Sequence, residues 1–278
     1  MFRLLAFALA WVLGTAAWAQ PTLNVGTWNL RLNLDSDGPN AWPQRREMAK
    51  ALIRFHEFDL FGTQEGLIDQ IEDLQALEGF GRVGVGRDDG ARAGEHSAIF
   101  YRLDKLQLEA HGDFWFSPTP DKPSKGWDAR CCNRLATWAR FRLREGGRPL
   151  TVFSVHFDHE GTEARRESAK LLLRKARELA GDGWLICLGD FNATPESEPA
   201  QLMAAALGDA YKLSATPPYG PVGTFNDFKP ERPALDRIDY VFVGPRIRVQ
   251  RYGVLTDSMA GRVPSDHFPV LTRLVFER

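Results

Sequence analysis

Cysteine is scarce in this chain, with three in 278 residues. No CxxC pair and no Cys/His ligand spacing occurs to suggest a structural zinc site. The odd count argues against a disulfide framework. Cys131 and Cys132 are adjacent, and bridging neighbours is strained. One bridge from either of them to Cys187 stays open. Cys187 lies in an apolar run and reads as a small core residue. Basic blocks are also missing. The formal net charge is −1, which argues against a protein living on long nucleic-acid duplexes. No hydrophobic hairpin or basic amphipathic helix marks an interfacial lipid enzyme. After the N-terminal segment, nothing is apolar and long enough to cross a bilayer, which takes ~20 residues. No linker, low-complexity stretch or strong repeat divides the chain.

What is present begins with a leader. Met1-Phe2-Arg3 is a short positive start, 4–15 is apolar and uncharged, and Ala17-Trp18-Ala19 is a small-x-small cleavage pattern. This predicts a signal peptide over 1–19, a mature domain over 20–278, and an exported protein in the periplasm or outside the cell. After cleavage no stable membrane association is expected, and the protein is expected to act as a monomer.

Strand and helix patterns alternate. Residues 23–30 alternate like a strand and 58–65 form a second short strand. Between them, Met48, Leu52 and Phe55 recur at helical spacing, with Arg45 off that stripe. Ile68, Ile71 and Leu74 mark another helix. Strands are predicted over 83–86, 97–101, 106–116, 135–143 and 150–157, with a long loop at 117–133. The best helix covers 162–179, and 184–190 is an apolar strand ending in Gly189-Asp190. A short helix near 197–207 and strands over 237–243, 247–255 and 268–276 complete the chain. The class is α/β. Both halves pair strands that end in polar residues with helices, which suggests two sheets packed face to face with helices outside.

The strand ends carry the chemistry. Asn29, Glu65, His156 with His159, Asp190 with Asn192, Asp239 and Asp266-His267 all stand where a strand stops. In an extended chain, residues i and i+2 share a face, so Asp190 and Asn192 are expected to project together. A carboxylate there can take a proton from water and an amide can donate to a developing oxyanion. Asp239 shares a face with Val241 and Val243, and a buried carboxylate there needs a partner, for which His267 is suited. Carboxylates with an amide, and no sulfur ligation, suit Mg2+ or Mn2+. The usual substrate partner of such an ion is a phosphate oxygen.

Trp28-Asn29, Thr63-Gln64-Glu65, Ser154-Val155-His156-Phe157, Gly189-Asp190-Phe191-Asn192, Arg237-Ile238-Asp239-Tyr240 and Ser265-Asp266-His267 stand in the order found in the endonuclease/exonuclease/phosphatase superfamily, the fold of pancreatic deoxyribonuclease. The chain most resembles a secreted bacterial group of metal-dependent hydrolases, to which 94–101, 125–128 and 156–159 are similar. The resemblance implies a four-layer α/β/β/α sandwich of two mixed sheets. It implies that Glu65, assisted by Asn29 and Asp266, holds the metal, and that Asp190 deprotonates the attacking water. Asn192 and His267 would bind phosphate oxygens, His156 would contact phosphate or assist the leaving group, and Asp239 would hold His267. His159, Arg134, Arg130, His96 and Trp127 are expected to line the substrate side.

The implied activity is metal-assisted hydrolysis of a phosphate ester, with a phosphodiester ranked first. Nuclease action on RNA or DNA, as endonuclease or 3'-5' exonuclease, shares this core. So do phospholipid-headgroup, sphingomyelin-type and sugar- or inositol-phosphate phosphoesterases. An inactive phosphate-binding module is the remote alternative, and a filled catalytic set argues against it. The near-neutral charge weighs mildly against long polyanions.

Overall fold

A computed structural model describes residues 20–277, so the expected leader at 1–19 lies outside the described residues. In chain order the elements are β1 (Thr22–Asn29), α1 (Trp42–Phe55), β2 (Leu60–Gln64), α2 (Ile68–Gln75), β3 (Phe80–Val83), β4 (Ile99–Arg102), β5 (Leu106–Trp115) and β6 (Leu135–Leu143). Then follow β7 (Leu150–His156), α3 (Thr162–Ala180), β8 (Trp184–Asp190), α4 (Glu198–Ala206), β9 (Gly208–Asp209), α5 (Ala210–Leu213), β10 (Asp239–Val243), β11 (Ile247–Val254) and β12 (Val270–Phe276).

The strands form two six-stranded mixed sheets, ordered β11-β12-β1-β2-β4-β3 and β5-β6-β7-β8-β10-β9. Three hydrophobic cores separate the four layers. Leu23, Val25, Leu60, Val152, Trp184, Ile186, Leu188, Val241 and Val243 fill the space between the sheets. Trp28, Phe61 and Phe100 pack outward under α1 and α2. Phe153, Val155, Cys187 and Phe242 pack outward under α3 and α4. This is the expected α/β/β/α sandwich. Every residue of β7 and β8 is buried, because both faces of a central strand are covered. At Gly62 the sheets approach so closely that a Cβ would lie 2.2 Å from Leu188 Cδ1 and 2.5 Å from Ser154 Oγ.

Helix α3 buries Ala169, Leu172 and Ala176, as its spacing predicts. The Asp128 carboxylate accepts from Glu163 N at 3.1 Å and Ala164 N at 2.7 Å, so the 117–133 loop supplies this helix with its N-terminal acceptor. Gly181, at φ +53°, ends the helix.

Four local expectations are corrected. Phe55 was expected in the buried stripe of α1 but is 80% exposed, because the helix ends there and the stripe runs through Trp42, Arg45, Ala49, Leu52 and Ile53. Arg45, expected off the stripe, is buried among backbone carbonyls. The third strand occupies Phe80–Val83, earlier than the 83–86 expected. Cys131 and Cys132 are bonded to each other and Cys187 is a buried free thiol, so no bridge to Cys187 is made. Among the described residues, no helix is long and apolar enough to cross a membrane.

Candidate active site

The pairing of the strands decides which polar ends meet. β1 runs parallel to β2 with Asn29 opposite Gln64, and β7 runs parallel to β8 with His156 opposite Asp190. β10 is antiparallel to β8, which puts its first residue, Asp239, opposite Asp190. Four strand C-termini and one N-terminus therefore gather at one edge of the sandwich. They surround a cleft of about 520 Å3 lined by residues that include Arg31, Glu65, Glu95, Arg134, His156, His159, Asp190, Asn192, Asp266 and His267.

Asp190 is at the centre. Its Oδ1 accepts from Asn192 N at 2.8 Å, and its Oδ2 accepts from Asn29 Nδ2 at 3.0 Å. Asn192 does not continue the strand alternation: at φ +46° it folds back beneath Asp190, and its Nδ2 donates to Phe157 O at 3.0 Å. Both residues line the cleft, brought there by a turn that the i, i+2 rule did not foresee. Burial, and then the Asp239 carboxylate, push the Asp190 pKa up; the His267 cation, Asn192 N and the Asn29 amide oppose that rise.

Asn29 was expected to assist Glu65, and it bonds to Asp190 as well. It is fully buried beneath the cleft. Its Nδ2 also donates to Glu65 Oε1 at 2.9 Å, and its Oδ1 accepts from Arg31 N at 2.9 Å. It thus spaces the Glu65 and Asp190 carboxylates. Glu65 Oε2 accepts from Leu32 N at 3.2 Å.

His267 Nδ1 donates to Asp239 Oδ2 at 2.9 Å, and its Nε2 lies 4.0 Å from Asp190 Oδ2. Thr224 Oγ1 donates to the same Asp239 oxygen at 2.5 Å. Burial alone would lower the His267 pKa, but the carboxylates of Asp239, Asp190 and Asp266 overturn this and raise it to about 10. His267 is therefore a cation at neutral pH. His156 goes the other way. Burial first, then Arg134 and Arg87, push its pKa well down, so it is a neutral imidazole. Its Nε2 lies 3.7 Å from Asp190 Oδ2.

Strain concentrates here. Nine non-glycine residues among those described have positive φ, and five of them line the cleft: Arg31, Glu65, Asn192, Asp227 and Phe228. Left-handed backbone costs about 1–2 kcal/mol per residue, so the surrounding contacts must enforce it.

The donor set fits a hard dication. Glu65 and Asp266 line the cleft and offer only oxygen. Burial, opposed by His267 and reinforced by the Glu65 charge, raises the Asp266 pKa, a crowding of carboxylates that a dication would relieve. Asp190, Asp239 and His267 also offer ligand atoms within 4.8 Å of one another. There, however, His267 as an imidazolium carries a proton on both ring nitrogens and has no lone pair to offer a metal.

Of the expected substrate-side residues, Arg134 and His159 line the cleft. Three others do not. His96 is 1% exposed and lies behind the wall, with Nδ1 against Gly66 O at 3.1 Å. Trp127 packs against the α3 core. Arg130 is exposed outside the cleft, its carbonyl accepting from Lys125 Nζ.

Arg45 was missed as a site residue. It donates to the carbonyls of Leu30, Arg31 at 2.7 Å, Asn40 at 2.7 Å and Pro264 at 3.0 Å. It ties the loop after Asn29 to the loop before Asp266. No sequence signal marked it, since helical spacing had placed it off the apolar stripe.

An oxygen-lined carboxylate site with an imidazolium and an amide, at the edge of a four-layer sandwich, defines a hydrolase of phosphate esters. The Endonuclease/Exonuclease/phosphatase family profile matches residues 26–267, and the chain belongs to that family, whose enzymes are metal-dependent. A family protein of known structure from Bacteroides thetaiotaomicron is 42% identical, with a TM-score of 0.88, over 94% of this chain and 97% of that one. A mannosyl-6-phosphatase from the same organism is 44% identical, with a TM-score of 0.86, over 91% of this chain and 100% of that one. Nocturnin of Drosophila melanogaster is 30% identical over 63% of this chain, which spans 31% of that protein's length.

Proposed function

We propose that this protein is an exported, Mg2+- or Mn2+-dependent phosphomonoesterase acting on a sugar phosphate. The cleft carries the proposal. At about 520 Å3 it is the size of a small-molecule site. Its cations Arg31, Arg87 and Arg134 are matched by Asp37, Glu95 and Asp158 at 2.9, 2.6 and 3.7 Å, so it is no cationic track for a polyanion. The 44% identity to a mannosyl-6-phosphatase supports the same reading. The phosphodiester ranked first by sequence becomes the second reading. Export rests on the leader pattern alone.

In this mechanism Glu65 and Asp266 hold the metal, which supplies charge neutralisation at the phosphate when bound. Asp190 orients the attacking water and takes its proton. Asn29 keeps Asp190 and Glu65 apart and in line. As negative charge builds on the non-bridging oxygens, cationic His267 donates from Nε2, with Asp239 fixing its ring, and Asn192 donates from Nδ2. The ester P–O bond breaks opposite the attacking water, the departing sugar oxygen takes a proton from water in the cleft, and neutral His156 faces the phosphate oxygens.

The test is phosphate release from mannose 6-phosphate by the mature protein, with Mg2+ and with EDTA, beside cleavage of short RNA and DNA oligonucleotides. Metal-dependent release without oligonucleotide cleavage is expected. Oligonucleotide cleavage with no phosphate release would replace this reading with the nuclease one.

A further inference from the structure

One wall of the cleft lies beyond the residues that face the reacting phosphate. It consists of Arg87, Glu95, Arg134 and His159, with the Cys131–Cys132 disulfide at its lip. Glu95 Oε2 accepts from Arg87 Nη1 at 2.6 Å and lies 3.9 Å from Arg134 Nη1. Its other oxygen, Oε1, makes no hydrogen bond among the described residues, and the side chain keeps 12% exposure. Arg134 Nη1 is 3.0 Å from both ring nitrogens of His156, whose lone pairs diverge. The guanidinium therefore lies across that ring. Its Nη2 donates to His159 Nδ1 at 2.6 Å, which places the His159 ring proton on Nε2, on a side chain 45% exposed.

The wall is preorganised. Arg87 O accepts from Trp115 Nε1 at 2.7 Å and Asn133 Nδ2 at 3.3 Å, and Arg87 N donates to Glu95 O at 3.0 Å. Behind it remains a cavity of only about 10 Å3, room for one water. The wall thus holds an acceptor and a donor in fixed positions, and with the buried Asp158 carboxylate 3.7 Å from Arg134 Nε its charges balance. A second phosphate placed here would meet the Glu95 carboxylate. A hydroxyl group meets no such penalty, because it both donates and accepts.

We propose that this wall is a hydroxyl-recognition subsite for the sugar of a polyol phosphate. One hydroxyl donates to Glu95 Oε1 and another accepts from His159 Nε2, while the disulfide at the lip offers a weakly polar sulfur surface for the C–H face. The subsite rests on the phosphomonoesterase reading and names what that reading selects.

The experiment compares kcat/KM for mannose 6-phosphate with kcat/KM for p-nitrophenyl phosphate, which has no hydroxyls to recognise. His159→Ala and Glu95→Gln are each expected to lower the sugar-to-aryl ratio about tenfold, mainly through KM for the sugar phosphate. His159 is half exposed, so its variant folds even if Glu95→Gln does not. A ratio unchanged in His159→Ala and in folded Glu95→Gln overturns the subsite and leaves the phosphatase standing. A wild-type enzyme that hydrolyses neither monoester but cleaves oligonucleotides overturns both.

Discussion

The space between the two sheets has two ends made by the same strands. At one end β1 contributes Leu23 and Val25, β7 contributes Leu150 and Val152, β8 contributes Trp184, Ile186 and Leu188, and β10 contributes Val241 and Val243. Two to four residues further along the same faces stand Thr27 and Asn29, Ser154 and His156, Asp190, and Asp239, each no more than 5% exposed. Both ends are buried, but for different reasons. The apolar end gains from leaving water, at roughly 25 cal/mol per Å2. The polar end loses hydration and recovers it only through hydrogen bonds, such as those that Asn29 makes to Glu65 and Asp190. The apolar end therefore secures the fold, and the polar end is held in strained, like-charged geometry by it.

Substitutions should separate the two ends. The largest effect is expected from Asp190→Asn, which keeps shape and removes the base. Turnover should fall about 10²–10⁴-fold with an unchanged melting temperature. Retention of most of the rate would remove Asp190 from the mechanism. Leu188→Ala, one step into the apolar end, should show the reverse. Denaturant unfolding should report about 2–5 kcal/mol lost, with kcat per folded molecule changed far less. Arg45→Lys tests the link between the ends, since one ammonium cannot reach four carbonyls. Activity or metal affinity should fall about 10–100-fold, read by metal titration followed calorimetrically. Equal metal affinity and rate would reduce Arg45 to a packing residue.

The smallest expected effect is a slope. The His267 pKa is raised from 6.5 to about 10 in the folded protein, so its contribution to stability is full below pH 6.5 and is lost as pH rises through 10. In metal-free protein, Asp239→Asn removes the main raising partner and should flatten the fall in stability between pH 7 and pH 10. An equally steep fall would place the alkaline titration elsewhere.

Much of the site was legible because each polar residue sits at the end of an apolar run. Gly189-Asp190 after Trp184-Leu185-Ile186-Cys187-Leu188 is readable from composition alone, and so is Asp239 ahead of Val241 and Val243. Arg45 was not. Helical spacing showed an apolar stripe, and nothing local says that the carbonyls of Leu30, Arg31 and Pro264 converge on its guanidinium. His96 and Trp127 misled for the opposite reason. They stand in chemistry-bearing loops, but the backbone turns their side chains into the protein. The vicinal Cys131–Cys132 bond is local, yet its place at the cleft lip depends on Asn133 and Arg87, which are distant in sequence.

Alternation, helix periodicity and polar strand ends determined the α/β class, the helix positions and the identity of the central acids, because these depend on residues a few positions apart. Only the tertiary structure decided that Asn29 spaces two carboxylates, that His156 is neutral while His267 is charged, and that Arg134 and Glu95 form a balanced wall. Those outcomes depend on which strands lie side by side and in which register. Burial then sets each group's charge through neighbours far away along the chain, as Asn29 is, 161 residues from Asp190.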